Sequence, residues 1–254
     1  MKWILIALVL IYFGGMAYLY FTQENKIFQR HYSKDYTPIQ AKKIYFTTSD
    51  GLKLEGAYLE NKKAAPLVLY FSGNANNVIE FIDNIGPKIK DYNFIGFNYP
   101  GYAKSEGEPC EECILKYALE IYDKYKPDIL IGRSLGSAVA TYVASKRDVK
   151  KLVLITPFDS IENVAKAKYP FYPISLLLKH KFPEYKWIKN VKTPVALLLL
   201  KYDDIIPQKS IENLLQNIPN KDKIIEIEGV KHGFIYDYPG IDKVINKLLK
   251  DEND

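Results

Sequence analysis

Gly132-Arg133-Ser134-Leu135-Gly136 spells G-x-S-x-G. The residues before it, Asp128-Ile129-Leu130-Ile131, read as a strand, and those from Leu135 onward read as a helix rich in small residues. A serine at a sharp joint between strand and helix holds its hydroxyl outward, beside helix amides that favour negative charge. Acyl transfer needs both features: an exposed oxygen nucleophile, and donors for the oxyanion that its attack creates. The bland alternative is a glycine-flanked turn carrying an inert serine. What separates the two is whether a base and an acid reach Ser134.

The chain has three histidines. His31 lies in a polar N-terminal stretch and His180 lies beside Leu176-Leu177-Leu178. His232, in Gly229-Val230-Lys231-His232-Gly233, follows the last strand-like run. The carboxyl ends of strands are where open α/β sheets gather their functional groups, so His232 is the expected base. An acid must orient its ring and stabilise the imidazolium. Asp203 and Asp204 follow one apolar run and Asp159 follows the run before it; by position alone all three stay open.

These residues need a scaffold. Short β-rich runs at 43–48, 52–59, 67–71, 94–98, 129–132, 152–156, 195–200 and 224–228 alternate with helical patterns at 76–90, 111–125, 135–145, 210–217 and 241–249. Runs such as Val195-Ala196-Leu197-Leu198-Leu199-Leu200 are continuously apolar, as strands buried on both faces are. The alternation predicts an α/β fold: a mostly parallel, eight-stranded sheet with helices on both faces. Asp50-Gly51 between the first two runs signals a hairpin and hence an antiparallel edge.

With 254 residues and 48% hydrophobic content, residues 43–254 can form one globular domain. The net charge of +5 is spread along the chain without a Lys/Arg block, so no nucleic-acid partner is expected. Trp3 to Phe21 carries no charge. As a helix it would span ~28 Å, about one hydrocarbon core, with Trp3, Tyr18, Tyr20 and Phe21 at its ends where aromatic rings prefer the interface. Residues 1–22 are therefore expected to be a single-pass membrane anchor. A cleaved signal peptide is the competing reading, for which Gly15-Met16-Ala17 is a weak cut site followed by further apolar residues. Lys2 on one side and Lys26, Arg30 and Lys34 on the other leave the orientation open. Residues 23–42 read as a polar connector, so a chain beginning near Asp35 is expected to keep its fold. Cys110 and Cys113 are the two cysteines, spaced C-x-x-C. Without a second such pair or clustered histidines they do not suggest zinc, and Glu111 and Glu112 oppose a reactive thiolate; a structural pair is favoured over a redox centre.

Taken together, Phe71-Ser72-Gly73-Asn74-Ala75-Asn76, Asn98-Tyr99-Pro100-Gly101-Tyr102-Ala103-Lys104-Ser105-Glu106-Gly107, the G-x-S-x-G and Asp203-Asp204-Ile205-Ile206-Pro207 resemble the motifs of α/β-hydrolase-fold serine hydrolases. The likeness is greatest to the membrane-anchored and peptidase-like members of bacteria and their eukaryotic relatives, and it covers roughly residues 40 to 250. The order Ser, Asp, His belongs to that fold rather than to chymotrypsin or subtilisin. The resemblance implies Asp203 as the acid, and the backbone N–H groups of Asn74 and Leu135 as the oxyanion hole. One departure stands out: Ser72 occupies the position of the family's histidine in the oxyanion loop, which raises the question of what holds that loop. Residues 158–190, with Tyr169-Pro170-Phe171-Tyr172-Pro173, Leu176, Leu177, Leu178, Phe182, Tyr185 and Trp187, would be a lid insertion whose apolar side chains either form an acyl pocket or pack onto the body. The expected function is hydrolysis of an ester or thioester with a lipid-like acyl group, with no metal and no cofactor. The alternatives are a peptidase or amidase on the same fold, and a non-catalytic membrane-tethered interaction module.

Overall fold

A computed structural model describes residues 1–250. Its eight strands are β1 (Lys42–Thr47), β2 (Lys53–Leu59), β3 (Leu67–Phe71), β4 (Asn93–Phe97), β5 (Ile129–Arg133), β6 (Lys151–Ile155), β7 (Val195–Leu200) and β8 (Lys221–Ile227). They form one sheet in the order β1-β2-β4-β3-β5-β6-β7-β8. The β1–β2 hairpin and the β2–β4 pair are antiparallel, and all other pairs are parallel. This is the mostly parallel sheet with an antiparallel edge that the apolar pattern predicts. The outer strands are the least apolar, and β1 opens with Lys42 and Lys43 while β8 carries Lys221 and Lys223.

Alternate side chains of the central strands serve two separate cores. Leu69, Phe71, Leu130, Leu154 and Leu197 face one cluster, which also receives α3 (Glu111–Tyr125), α4 (Leu135–Ala144) and α8 (Gln208–Gln216). Val68, Tyr70, Ile131, Val153 and Leu198 face the other, under α2 (Val78–Asn84) and α9 (Ile241–Leu249). With helices on both sides, β4 to β7 have no solvent-facing residue, which explains why their sequences are apolar apart from Asn93, Arg133 and Lys151 at strand ends.

Two predicted boundaries move. The helix expected over 76–90 ends at Asn84, because Gly86-Pro87 cannot continue it and a short 3₁₀ turn follows. The connector expected to start at residue 23 begins later, because α1 runs without a break over Lys2–Ile27. Its last turn is not free: Gln23 and Ile27 are buried, and Phe28 just beyond joins the first core. Among the described residues α1 is the one helix long and apolar enough to cross a membrane, and most of its apolar side chains before Leu19 are exposed.

Between β6 and β7 lie α5 (Ile161–Lys168), α6 (Ile174–Leu177) and α7 (Glu184–Trp187). The end of this segment packs onto the body: Phe182 is fully buried and the Trp187 ring meets Tyr142 of α4 at 5.0 Å. Its beginning stands against α1.

Candidate active site

The joint between β5 and α4 is built by exclusion. A Cβ on Gly132 would lie 2.2 Å from the Gly136 carbonyl oxygen, and one on Gly136 would lie 2.2 Å from the Phe71 carbonyl oxygen. Only glycines let α4 start this close to β5 and β3. Between them Ser134 has φ +49° and ψ −119°, a conformation that costs an L-residue about 1–3 kcal/mol and persists only when its surroundings hold it. One such restraint is the Ser134 amide, which donates to the Ile155 carbonyl at 2.9 Å.

The loops after β7 and β8 bring the partners. His232 Nε2 lies 2.9 Å from Ser134 Oγ, and His232 Nδ1 lies 2.8 Å from Asp203 Oδ2. The other Asp203 oxygen accepts the amides of Ile205 and Ile206, both at 2.8 Å. Burial by itself pushes the Asp203 carboxyl up; the hydrogen bond and charge of His232, with the two amides, outweigh it and hold the group below the usual carboxylate range. An ionised Asp203 assigns the ring proton to Nδ1 and leaves the Nε2 lone pair facing the serine hydroxyl.

The other candidates sit elsewhere. Asp204 Oδ1 accepts the backbone amide of His232 at 2.9 Å, so it fixes the histidine loop rather than the ring. Asp159 is saturated by the Ser160 amide, Ser210 Oγ, Asn163 Nδ2 and Asn213 Nδ2, and ties the lid to α8. His31 is exposed against Tyr32, and His180 stacks edge-on to Phe28 and accepts the Glu111 amide. Neither joins the site.

Asn74 lies in the turn after β3 and Leu135 is the first residue of α4. Among the described residues neither backbone amide has a protein acceptor, which leaves both able to receive a ligand oxygen. The turn after β3, where Ser72 stands in place of the expected histidine, is held from the 98–107 segment: Tyr99 Oη donates to the Ser72 carbonyl at 2.8 Å and Tyr102 Oη to the Asn74 carbonyl at 2.9 Å.

Residues 66–173 match the family model described as alpha/beta hydrolase fold. The chain has the α/β-hydrolase fold. It is 29% identical over 202 residues to an uncharacterized membrane protein of Saccharomyces cerevisiae, covering 74% of this chain and 71% of that one. It is 24% identical over 236 residues to the lysophosphatidylserine lipase ABHD12 of Danio rerio, covering 73% of this chain and 58% of the lipase. The solved Pyrococcus furiosus esterase Pf2001 superposes with a TM-score of 0.63 at 19% identity, over 85% of this chain and 95% of that one.

Within the hydrolase fold this chain has supports that its motifs did not announce. Arg133, the variable residue before the serine, is buried; its Nη2 donates to the His232 carbonyl at 2.7 Å and its Nη1 to Asn76 Oδ1, while the guanidinium lies 5.6 Å from the Tyr236 ring centroid. One cation thus joins the loop after β3 to the loop after β8. Its only sequence signal is a charge at the end of an otherwise apolar strand.

Glu184 of α7 was also unforeseen. It is wholly buried beneath α4, with Ser137 Oγ 2.7 Å from Oε2 and Thr141 Oγ1 2.9 Å from Oε1. Ser137 Oγ also lies 2.7 Å from the Ser134 carbonyl. A hydroxyl has a single proton, so Ser137 satisfies both neighbours only if Glu184 is protonated and donates to it, freeing its own proton for the carbonyl. Burial pushes the Glu184 carboxyl up to about 8 against the pull of the two hydroxyls, which agrees with that arrangement.

Cys110 and Cys113 form a disulfide across the first turn of α3. Among the described residues no group of His, Cys, Asp and Glu is arranged to hold a metal.

Proposed function

We propose that the chain is a serine hydrolase that cleaves an ester or thioester through an acyl-enzyme on Ser134. The observation that carries this reading is the continuous hydrogen-bonded series from Ser134 Oγ through His232 to Asp203, at 2.9 and 2.8 Å. His232 Nε2 takes the serine proton as Oγ bonds to the acyl carbon. The resulting oxyanion is bound by the amides of Asn74 and Leu135. Collapse breaks the bond to the leaving group, which departs as an alcohol or thiol carrying the proton from Nε2. Water then attacks the acyl-serine, again losing its proton to His232, and the carboxylic acid and the free serine are regenerated.

A lipid-like acyl substrate is supported by the long apolar helix next to the lid, and by the similarity to a lysophosphatidylserine lipase and an esterase. On this reading α1 holds the domain at a bilayer.

The test is labelling of the full chain with a fluorophosphonate, followed by parallel assays of p-nitrophenyl esters, thioesters and p-nitroanilides of the same acyl group. Stoichiometric labelling, abolished in Ser134→Ala, with ester or thioester turnover far above anilide turnover, is expected. Absence of labelling in folded protein makes the domain an interaction module instead, and dominant anilide turnover makes it an amidase.

A further inference from the structure

The anchor and the lid touch along an unusual length. Gln23 Nε2 donates to the Leu177 carbonyl at 3.0 Å and its Oε1 accepts the Lys179 amide at 2.7 Å. Three turns earlier, Tyr12 Oη donates to the Phe171 carbonyl at 3.1 Å, and the rings of Tyr12 and Tyr172 stack at 5.3 Å. Between these points Gly15 makes room for the lid, since a Cβ there would fall 2.1 Å from Tyr172 Oη. Tyr12, Gly15, Leu19 and Gln23 form one stripe of the helix, and Tyr12 to Gln23 is about 16 Å along its axis.

That distance matters because Tyr12 is the midpoint of the uncharged stretch 3–21. If this stretch lies in hydrocarbon, the lid tip lies in it as well. The tip presents large apolar side chains, Phe171 and Leu176 at 83% and 84% exposed, with the ammonium of exposed Lys168 held over the Tyr169 ring at its margin. The carbonyl of Phe171, costly to leave bare in hydrocarbon, is capped by Tyr12. The ion pair of Lys179 with Glu24, which needs water, sits at the other end of the stripe.

Between helix and lid a cleft remains, lined by Leu19 and Ile27 of α1 and by Ile161, Ala165, Ile174 and Leu177 of the lid. Gln23 and Lys26 also border it, Gln23 with its amide turned to lid backbone and Lys26 with its ammonium over the Tyr18 ring, so the remaining walls are apolar. At its inner end the cleft is one hydrogen bond from the loop expected to supply an oxyanion amide: the Ile27 carbonyl accepts the Asn74 side chain at 3.1 Å.

We infer that this cleft receives one acyl chain of a lipid ester, drawn sideways from the same leaflet that holds α1, so that the anchor is a wall of the substrate site and not a tether alone. The inference rests on the reading of Ser134 as an acyl-transfer nucleophile. A soluble short-chain ester bypasses the cleft; a long-chain ester needs both walls.

The experiment uses the full chain in phosphatidylcholine vesicles, with p-nitrophenyl acetate and p-nitrophenyl dodecanoate as probes. The quantity read is the ratio of the two kcat/KM values, from which the fraction of active protein cancels. Ala165→Trp fills the cleft from the lid and Leu19→Trp fills it from the anchor. Each is expected to lower the dodecanoate-to-acetate ratio by about tenfold or more, since two or more methylenes, each worth about fourfold, lose their burial. An unchanged ratio in both variants overturns the inference. An unchanged ratio in Leu19→Trp alone also overturns it, because α1 is then no wall. A wild-type chain that reacts with fluorophosphonate but does not hydrolyse dodecanoate refutes the cleft while sparing the nucleophile. A wild-type chain that neither labels nor hydrolyses either ester refutes the nucleophile itself.

Discussion

Two buried carboxylates flank Ser134 and are driven to opposite states. Asp203 lies above the sheet's carboxyl edge, where a histidine and two amides donate to it. Glu184 lies under α4, where two hydroxyls and the Phe158 backbone donate to it, one hydroxyl has a second acceptor to serve, and the nearby Asp159 opposes ionisation. Both lose solvation. Asp203 recovers it through partners that favour the charge and stays below its usual range, whereas Glu184 does not and rises to about 8. Burial alone therefore does not decide ionisation; whether a donor can become a cation, and whether a like charge stands nearby, does.

Replacing the charged member is expected to have the largest effect. Asp203→Asn should lower kcat by about 10⁴, because an amide leaves the histidine in the wrong tautomer. Asp159→Asn should cost about tenfold at most, acting through the lid, and Asp204→Asn a similar amount through the position of the His232 backbone. If Asp159→Asn proves the most damaging in ester turnover, the acid is on the wrong strand. Arg133→Met, which unlinks the two loops while keeping bulk, should reduce kcat roughly tenfold with little change in KM, a sign of misplacement rather than lost substrate contact.

The smallest expected effect belongs to the neutral member. Glu184→Gln keeps a donor toward Ser137 and should hold kcat within about threefold at pH 7. Its signature is in stability. A carboxyl raised from 4.5 to about 8 on folding stabilises fully below its unfolded value and loses that contribution as pH rises from 4.5 through 8. The melting temperature of the wild type should fall over that window, and the glutamine variant should be flatter. Asp203 has the opposite sign: its contribution holds above its unfolded value of 3.8 and is lost as pH falls through the lower folded value. A wild-type melting curve with no slope between pH 5 and 8 would break the contrast.

The strands and the clustering of Ser134, Asp203 and His232 were legible because they depend on local pattern: apolar runs, glycines at fixed spacing, and polar residues just past strand ends. Position could not choose among Asp159, Asp203 and Asp204, since all three follow strands; only the resemblance of the Asp203–Pro207 motif pointed to Asp203, which in the structure lies against the His232 ring 29 residues away. Arg133 meets His232 across 99 residues, Glu184 meets Ser137 across 47, and Tyr12 meets Phe171 across 159. No periodicity encodes such pairs. The connector was misjudged for the same reason: polar residues at 23–26 look like a linker until the lid is placed against them. A chain beginning near Asp35 would lose Ile27 and Phe28 from the core, and is expected to melt several degrees lower rather than behave as an intact domain.

The lysines on the two outer strands gain meaning from the long helix. A protein confined to a membrane plane meets its own copies in two dimensions, at a local density far above that of the same number of molecules in solution. Open sheet edges facing one another there would invite edge-to-edge pairing. Lys42 on β1 and Lys221 on β8 put exposed charged side chains on both outer strands, whose hydration would be lost between two paired sheets. If α1 lies in a bilayer, crowding there is met by charge at the very places where one sheet could extend into the next.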